Sequence, residues 1–218
     1  GHFVVVGDIF DRGDQVTEAL WFIYNLQREA AAAGGHVHFL LGNHETMIME
    51  GDIRYIHKRY LITGALFQTT YQQLYGESSY LGRWLRSLPL SVRVNDMVFV
   101  HGGFSRELLD EVGGLERIND LYHEHLIGMN SGLAVYDSEE LALLHGSGGP
   151  LWYRGYFLDL EFKERAIDKT QRRVKAILMV LGHTPFDAMK TIVTVQVVSL
   201  DPRITFPPIA EVQRAKDG

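Results

Sequence analysis

Four apolar runs, each broken off by a short polar motif, constrain this chain more than any other feature. "FVVV" runs into "GDIFDRG" (Gly7–Gly13), "HFLL" into "GNHE" (Gly42–Glu45), "MVFV" into "HGG" (His101–Gly103) and "ILMVL" into "GHT" (Gly182–Thr184). Short apolar, β-branched runs without alternation are the pattern of strands buried on both faces. In an open α/β sheet, ligands bind at the carboxyl ends of such strands. Each of the four motifs offers an oxygen or imidazole ligand there, so the pattern predicts one site assembled from four strand ends.

The segments between the motifs supply the rest of an α/β layout. Asp14 is placed to cap a helix whose Val16, Leu20 and Ile23 recur at helical spacing, and Gly34 follows an alanine-rich end as a stop. Val37–Leu41 then reads as a second strand, which completes a βαβ unit. Thr46–Leu88 reads as mainly helical and is dense in aromatic and basic residues ("RYIHKRYL", "TTYQQLY", "SSYLGRWL"). It is expected to form a helical cap, residues 46–90, whose aromatics pack on one another beside the cleft. Val92–Val100 reads as two strands around an Asn95-Asp96 turn, and Ala176–Leu181 and Ile192–Leu200 as two more. With no internal repeat or linker, residues 1–218 read as a single domain carrying that insertion.

Composition narrows the chemistry. The chain has no cysteine, which excludes disulfides and thiolate metal sites and leaves Asp, Asn and His as ligands. That donor set suits a borderline divalent metal such as manganese, iron or zinc. A formal charge of -6 gives no basis for expecting nucleic acid, whose binders carry a basic face. No apolar run approaches the ~20 residues of a membrane span. Nothing in the sequence assigns a compartment or an oligomeric state.

Taken in order, the four motifs resemble the phosphoprotein phosphatase branch of the calcineurin-like metallophosphoesterases, over Gly7 to about Thr184. "EGDIRYIHKRY", "FVHGGFS" and "GPLWYRGYF" (Gly149–Phe157) are similar to the Shewanella-like bacterial protein phosphatases. The resemblance implies an αββα sandwich of two mixed β-sheets flanked by helices. It implies two divalent ions, with Asp8 bridging them and Asn43, His101 and His183 completing the second ion's ligands. His44 becomes the general acid, oriented by Asp11, which also favours its charged form. Arg12 and Arg154 grip the phosphate. The implied reaction is in-line attack of a metal-bridging hydroxide on a phosphomonoester: a phosphorylated serine, threonine or tyrosine of a protein, or a small substrate. The alternatives are a dinucleoside polyphosphate (diadenosine tetraphosphate) hydrolase and a catalytically impaired module that only binds phosphate.

Two departures from the family pattern qualify this. The Gly-Asp-x-His-Gly motif that supplies the first ion's ligands has no counterpart, so the first site is expected to be incomplete, with its strand lying upstream of residue 1. "VVSLDPRITFPP" lacks the Asp-x-Gly turn expected after the last strand.

Other residues carry plainer expectations. His36 and His38 alternate along a strand and should face solvent or pair with neighbours, since spacing alone rarely makes a metal site. His123 and His125 should point to different faces of a helix, and His57 and His145 should be ordinary, partly exposed histidines. Arg54 and Tyr55 either line the cleft or belong to an ion pair on the cap. "KERAIDKTQRRVK" reads as a solvated helix face. Asp8 and Asp11 could serve merely as helix caps, but a cap does not require the three motifs downstream.

Overall fold

The computed structural model describes residues 1–130, 138–160, 162, 164–184 and 197–199. The βαβ unit is present. Strand β1 (His2–Val5) pairs in parallel with β2 (His36–Phe39), in the register Val5↔Phe39, and helix α1 (Val16–Ala32) makes the crossover. Val16, Leu20 and Ile23 form its buried stripe, as their spacing predicts. Gly34 takes the left-handed conformation just past the helix end (φ 74°), which glycine adopts without steric cost.

Two expectations for this unit are corrected. Asp14 does not cap α1; the Tyr60 hydroxyl accepts the first helical N–H groups instead, from Val16 at 2.6 Å and Thr17 at 3.4 Å. The cap is therefore a tertiary contact from a helix 44 positions further on, which local sequence does not reveal. Nor is β1 buried on both faces. Among the described residues it pairs along one edge only, and Phe3 is 54% exposed.

Residues 43–86 are helical in four pieces: α2 (Asn43–Glu50), α3 (Lys58–Leu66), α4 (Tyr71–Leu74) and α5 (Tyr80–Arg86). His57 caps α3, its Nδ1 accepting from Arg59 N. The aromatics of this stretch do pack on one another. Tyr71 lies between Tyr60 and Tyr75, with ring centroids 5.1 Å away on either side, and Phe10 meets Tyr75 edge-on at 4.8 Å. Phe10 stands inside "GDIFDRG", so this cluster holds that loop from behind.

The second sheet has the order β3 (Ser91–Val94), β4 (Met97–Val100), β5 (Leu178–Leu181), β6 (Val197–Ser199). The β3–β4 hairpin turns at Asn95, left-handed at φ 53°, and β4–β5 and β5–β6 are parallel. This sheet is mixed, whereas the two described strands of the other are parallel. Only 197–199 of the expected strand Ile192–Leu200 are described, and "LDPRITFPP" lies outside the described residues. Val98, Val100 and Leu181 are fully buried in one core cluster with Leu108 of α6 (Arg106–Glu111) and Ile118 of α7 (Leu115–Asn130). Each such side chain contributes roughly 1.5–3 kcal/mol through burial.

Histidines 2, 36 and 38 stack on the outer face of β1–β2, and Nδ1 of His2 lies 2.9 Å from Nε2 of His38. His123 turns to the Leu88 carbonyl while His125 meets the His145 ring at a tilt, with centroids 4.5 Å apart, so the two do leave their helix on different faces.

Candidate metal centre

The ends of β1, β2, β4 and β5 converge. The β4–β5 register sets Val100 against Leu181, and Gly182 N continues the ladder to His101 O at 2.8 Å, so the "HGG" and "GHT" loops leave the sheet side by side. His101 Nδ1 lies 2.6 Å from the Val6 carbonyl, which can only accept; Nδ1 therefore carries the proton and Nε2 a lone pair. That lone pair faces Asn43 Oδ1 at 2.9 Å, His183 Nδ1 at 3.1 Å and Asp8 Oδ1 at 3.2 Å. Asn43 is held with its oxygen inward because its amide nitrogen donates to Met47 Sδ at 3.8 Å.

His101 Nε2, Asn43 Oδ1 and ionised Asp8 Oδ1 turn lone pairs toward one another, and His183 Nδ1 adds a fourth in its Nε2-protonated tautomer; in that state the group makes a cation site. Protonation of the imidazoles would be the other remedy, but burial opposes it. Burial pushes His101 down, and it pushes His183 down to about 2, with His101 and Arg154 adding to the effect. Burial, then the neighbouring Asp11 charge, push Asp8 up to about 7. Asp8, His101 and His183 form the one cluster of three or more ligating acid or imidazole groups among the described residues. The donor set is oxygen and imidazole, which fits manganese, iron or zinc.

Backbone strain is concentrated here. Asp8 (φ 66°), Arg12 (φ 60°) and His183 (φ 61°) are all left-handed, at a cost of roughly 1 kcal/mol or more each for residues with a Cβ. The two glycines of "GDIFDRG" and "GNHE" explain how the loops come so close. A Cβ on Gly7 would stand 2.5 Å from Gly42 N, and one on Gly42 2.6 Å from Asp8 Oδ1 and 2.8 Å from Asp8 N.

The residue that fixes this loop pair is Glu45, to which the motif reading gave no role. It is fully buried, and its carboxylate accepts from four backbone N–H groups: Asp8 at 2.8 Å and Gly42 at 2.7 Å on one oxygen, Ile9 at 2.7 Å and Phe10 at 3.4 Å on the other. Burial and the adjacent Asp8 push Glu45 up to about 7. The N–H groups pull the other way and, with both oxygens occupied as acceptors, hold it ionised. The sequence signal was present in the capping spacing, Glu45 being the third helical residue after Gly42.

The remaining motif residues surround this cluster. His44 is buried, with Nε2 3.5 Å from Asp11 Oδ1, an ion-pair distance rather than a hydrogen bond. Asp11 pulls His44 upward, but burial outweighs it and the net direction is down. Asp11 also pairs with Arg12, whose guanidinium is largely exposed. Tyr55 joins these groups: its carbonyl accepts from Arg12 N at 3.0 Å, its ring centroid lies 5.0 Å from the Arg12 guanidinium, and its ring meets His44 edge-on at 4.9 Å. Of the two expectations for Arg54, the ion pair holds, since it binds Asp52 through Nε and a second nitrogen at 2.6–2.9 Å. Arg154 reaches toward the His183 carbonyl at 3.4 Å, and Trp152 stands edge-on to the His183 ring at 5.6 Å. All eight expected site residues therefore fall in one neighbourhood.

Comparison with known proteins agrees with this geometry. Residues 2–187 match the calcineurin-like phosphoesterase family. Shewanella-like protein phosphatase 2 of Arabidopsis thaliana is 26% identical over 85% of this chain and 57% of its own length. Shewanella-like protein phosphatase 1 of Plasmodium berghei is 30% identical over 82% of this chain and 49% of its own. The chain thus spans about half the length of these curated relatives. Among solved structures, a cold-active protein-tyrosine phosphatase from a psychrophilic Shewanella species superposes with a TM-score of 0.84 at 38% identity, over 91% of this chain and 59% of that one. Carrying the four motifs on the four strand ends, and matching over most of its length, the chain belongs to the calcineurin-like phosphoesterase family.

Proposed function

We propose that this chain carries the catalytic centre of a metal-dependent phosphomonoesterase acting on phosphorylated protein side chains. The observation that supports it best is the gathering of the Asp8, Asn43 and His183 ligand atoms within 3.2 Å of His101 Nε2, with His44 beside them. Those four residues would hold a divalent manganese, iron or zinc ion, and Asp8 would share a second. Bound there, metal supplies positive charge for phosphoryl oxygens and lowers the pKa of a water.

The chain's own groups account for the remaining requirements. The Arg12 guanidinium, exposed at the rim, offers a planar fork to non-bridging oxygens, and Arg154 offers another from the loop beside His183. His44 donates a proton to the departing serine, threonine or tyrosine oxygen. Asp11 orients that imidazole and stabilises its charged form at the moment of transfer. Tyr55 braces both His44 and Arg12. The phosphatase names of the similar proteins, one of them a protein-tyrosine phosphatase, favour a phosphoprotein substrate over a dinucleoside polyphosphate.

The test is manganese-dependent phosphate release from an aryl phosphate and from phosphopeptides, with His44→Ala alongside. Turnover should fall about 10²–10⁴-fold in the variant, with bound manganese unchanged. Metal lost in parallel with activity overturns the acid role of His44, and faster hydrolysis of dinucleoside polyphosphates than of phosphopeptides overturns the substrate class.

A further inference from the structure

Arg154 turns toward the metal centre, but Tyr153 and Tyr156 on either side of it line a separate open cavity of about 600 Å³, bordered by α6 and by α10 (Glu164–Val174). Its aromatic wall is continuous: Tyr153 meets Tyr156 edge-on at 4.8 Å, and Tyr156 meets Phe162 at 5.5 Å. The Tyr156 hydroxyl donates to Phe104 O at 2.7 Å and accepts from Phe104 N at 3.1 Å, so this wall is fixed to the loop that follows "HGG".

The run expected to be only a solvated helix face lines the other side. Arg165, Lys169 and Arg172 lie at i, i+4 and i+7 of α10, on one stripe, while Ile167, Gln171 and Val174 are buried on the opposite face. With Arg106 and Arg173 the lining carries five cations, against the two carboxylates Asp110 and Asp159. Asp110 is already engaged by Arg173 and by Arg106 at 3.2 Å. Arg165, Lys169 and Arg172 make no ion pair among the described residues. A local excess of positive charge has thus been gathered into one concavity on a chain of formal charge -6.

Resting on the phosphatase reading, we infer that this cavity is a docking site for an acidic segment of the phosphoprotein substrate, one bearing Asp or Glu side chains. Arginine forks match carboxylates in pairs, and the aromatic wall gives apolar contact to the residues between them. A nucleic acid fits less well, because its affinity comes from a basic track along many phosphates. Here the cations are confined to one bounded cavity, too short a track to follow many phosphates.

The first measurement uses a fluorescein-labelled hexaglutamate peptide without phosphate, titrated against the full chain by anisotropy. It needs no turnover. Replacing the three exposed cations that make no ion pair among the described residues together (Arg165→Glu, Lys169→Glu, Arg172→Glu) should weaken binding about tenfold or more, by reversing three charge contacts. Unchanged affinity overturns the inference. So does displacement of the peptide by an oligothymidylate of equal charge as readily as by unlabelled peptide. In the kinetic arm, an acidic-tailed phosphopeptide should show a lower KM than a neutral-tailed one, and the triple variant should erase that difference while aryl phosphate turnover stays unchanged. Loss of aryl phosphate turnover in the variant would place these residues with the metal centre and overturn a separate docking site. Peptide binding that the variant abolishes, on a chain with no phosphatase activity, supports the cavity and overturns the phosphatase instead.

Discussion

Replacing Glu45 by glutamine changes one atom and should cost the loop pair most of its order. Each carboxylate oxygen accepts two backbone N–H groups, Asp8 and Gly42 on one, Ile9 and Phe10 on the other. Whichever way the amide is turned, its NH₂ faces two donors and leaves both without a partner. A buried polar group so stranded costs about 1–3 kcal/mol, so the pair costs about 2–6. Removing a buried charge returns part of that, and a net loss of roughly 3 kcal/mol follows. For a chain of this size each kcal/mol moves Tm by about 2–4 °C, which puts the expected drop near 6–12 °C. Thermal unfolding in chelator gives the number, and metal analysis shows whether Asp8 still binds. Glu18→Gln is the control: that side chain is exposed and paired with Arg59 at 3.2 Å, so about 0.5 kcal/mol or less is expected. If Glu45→Gln unfolds together with Glu18→Gln and holds metal normally, the carboxylate does not organise the loops.

Three further outcomes follow from the site. Asp8 stands at about 7 in the fold against 3.8 ordinarily, so its ionised form costs stability fully above pH 7, partly between, and not at all below about pH 4. Metal-free Asp8→Asn should therefore match the parent chain near pH 4 and exceed it by about 2–4 kcal/mol at pH 8, while losing its stabilisation by manganese; urea unfolding that finds it weaker at pH 8 refutes this. Tyr55→Ala should cut aryl phosphate turnover about fivefold or more through loss of the ring under Arg12 and against His44, and Tyr55→Phe should restore it; equal loss in both would assign the effect to the hydroxyl. Manganese at 100 times its Kd should stabilise the chain by about 2.7 kcal/mol, an increment that His44→Ala keeps; loss of the increment in that variant would make His44 a ligand.

The strands and their loops were legible because buried strands and ligand-bearing turns each have a local signature. Val37–Leu41 and Met97–Val100 announce themselves by apolar β-branched content, and Asn95 announces its turn. What stayed hidden are contacts between distant segments. The Tyr60 hydroxyl in place of Asp14 as a cap, Glu45 beneath a loop 35–37 residues away, and the Tyr55 carbonyl on Arg12 depend on where α2 and α3 are packed, not on any neighbour in the chain. The α10 run misled for a related reason. Its charge pattern is that of a solvated face, and only the packing of Tyr153, Tyr156 and Phe162 opposite turns it into the wall of a cavity.

The four converging side chains come from two different sheets: Asp8 and Asn43 follow β1 and β2, His101 and His183 follow β4 and β5. Among the described residues these sheets share no strand, so an ion coordinated by all four would act as a cross-link between the two halves of the sandwich. Like a disulfide, it would close a long loop, from position 8 to position 183, and penalise the open chain. Stripping the metal should then loosen both sheets together, with amide exchange and proteolysis rising in β1 and β4 at once. Metal supply would set how long the folded chain survives as well as how fast its centre turns over.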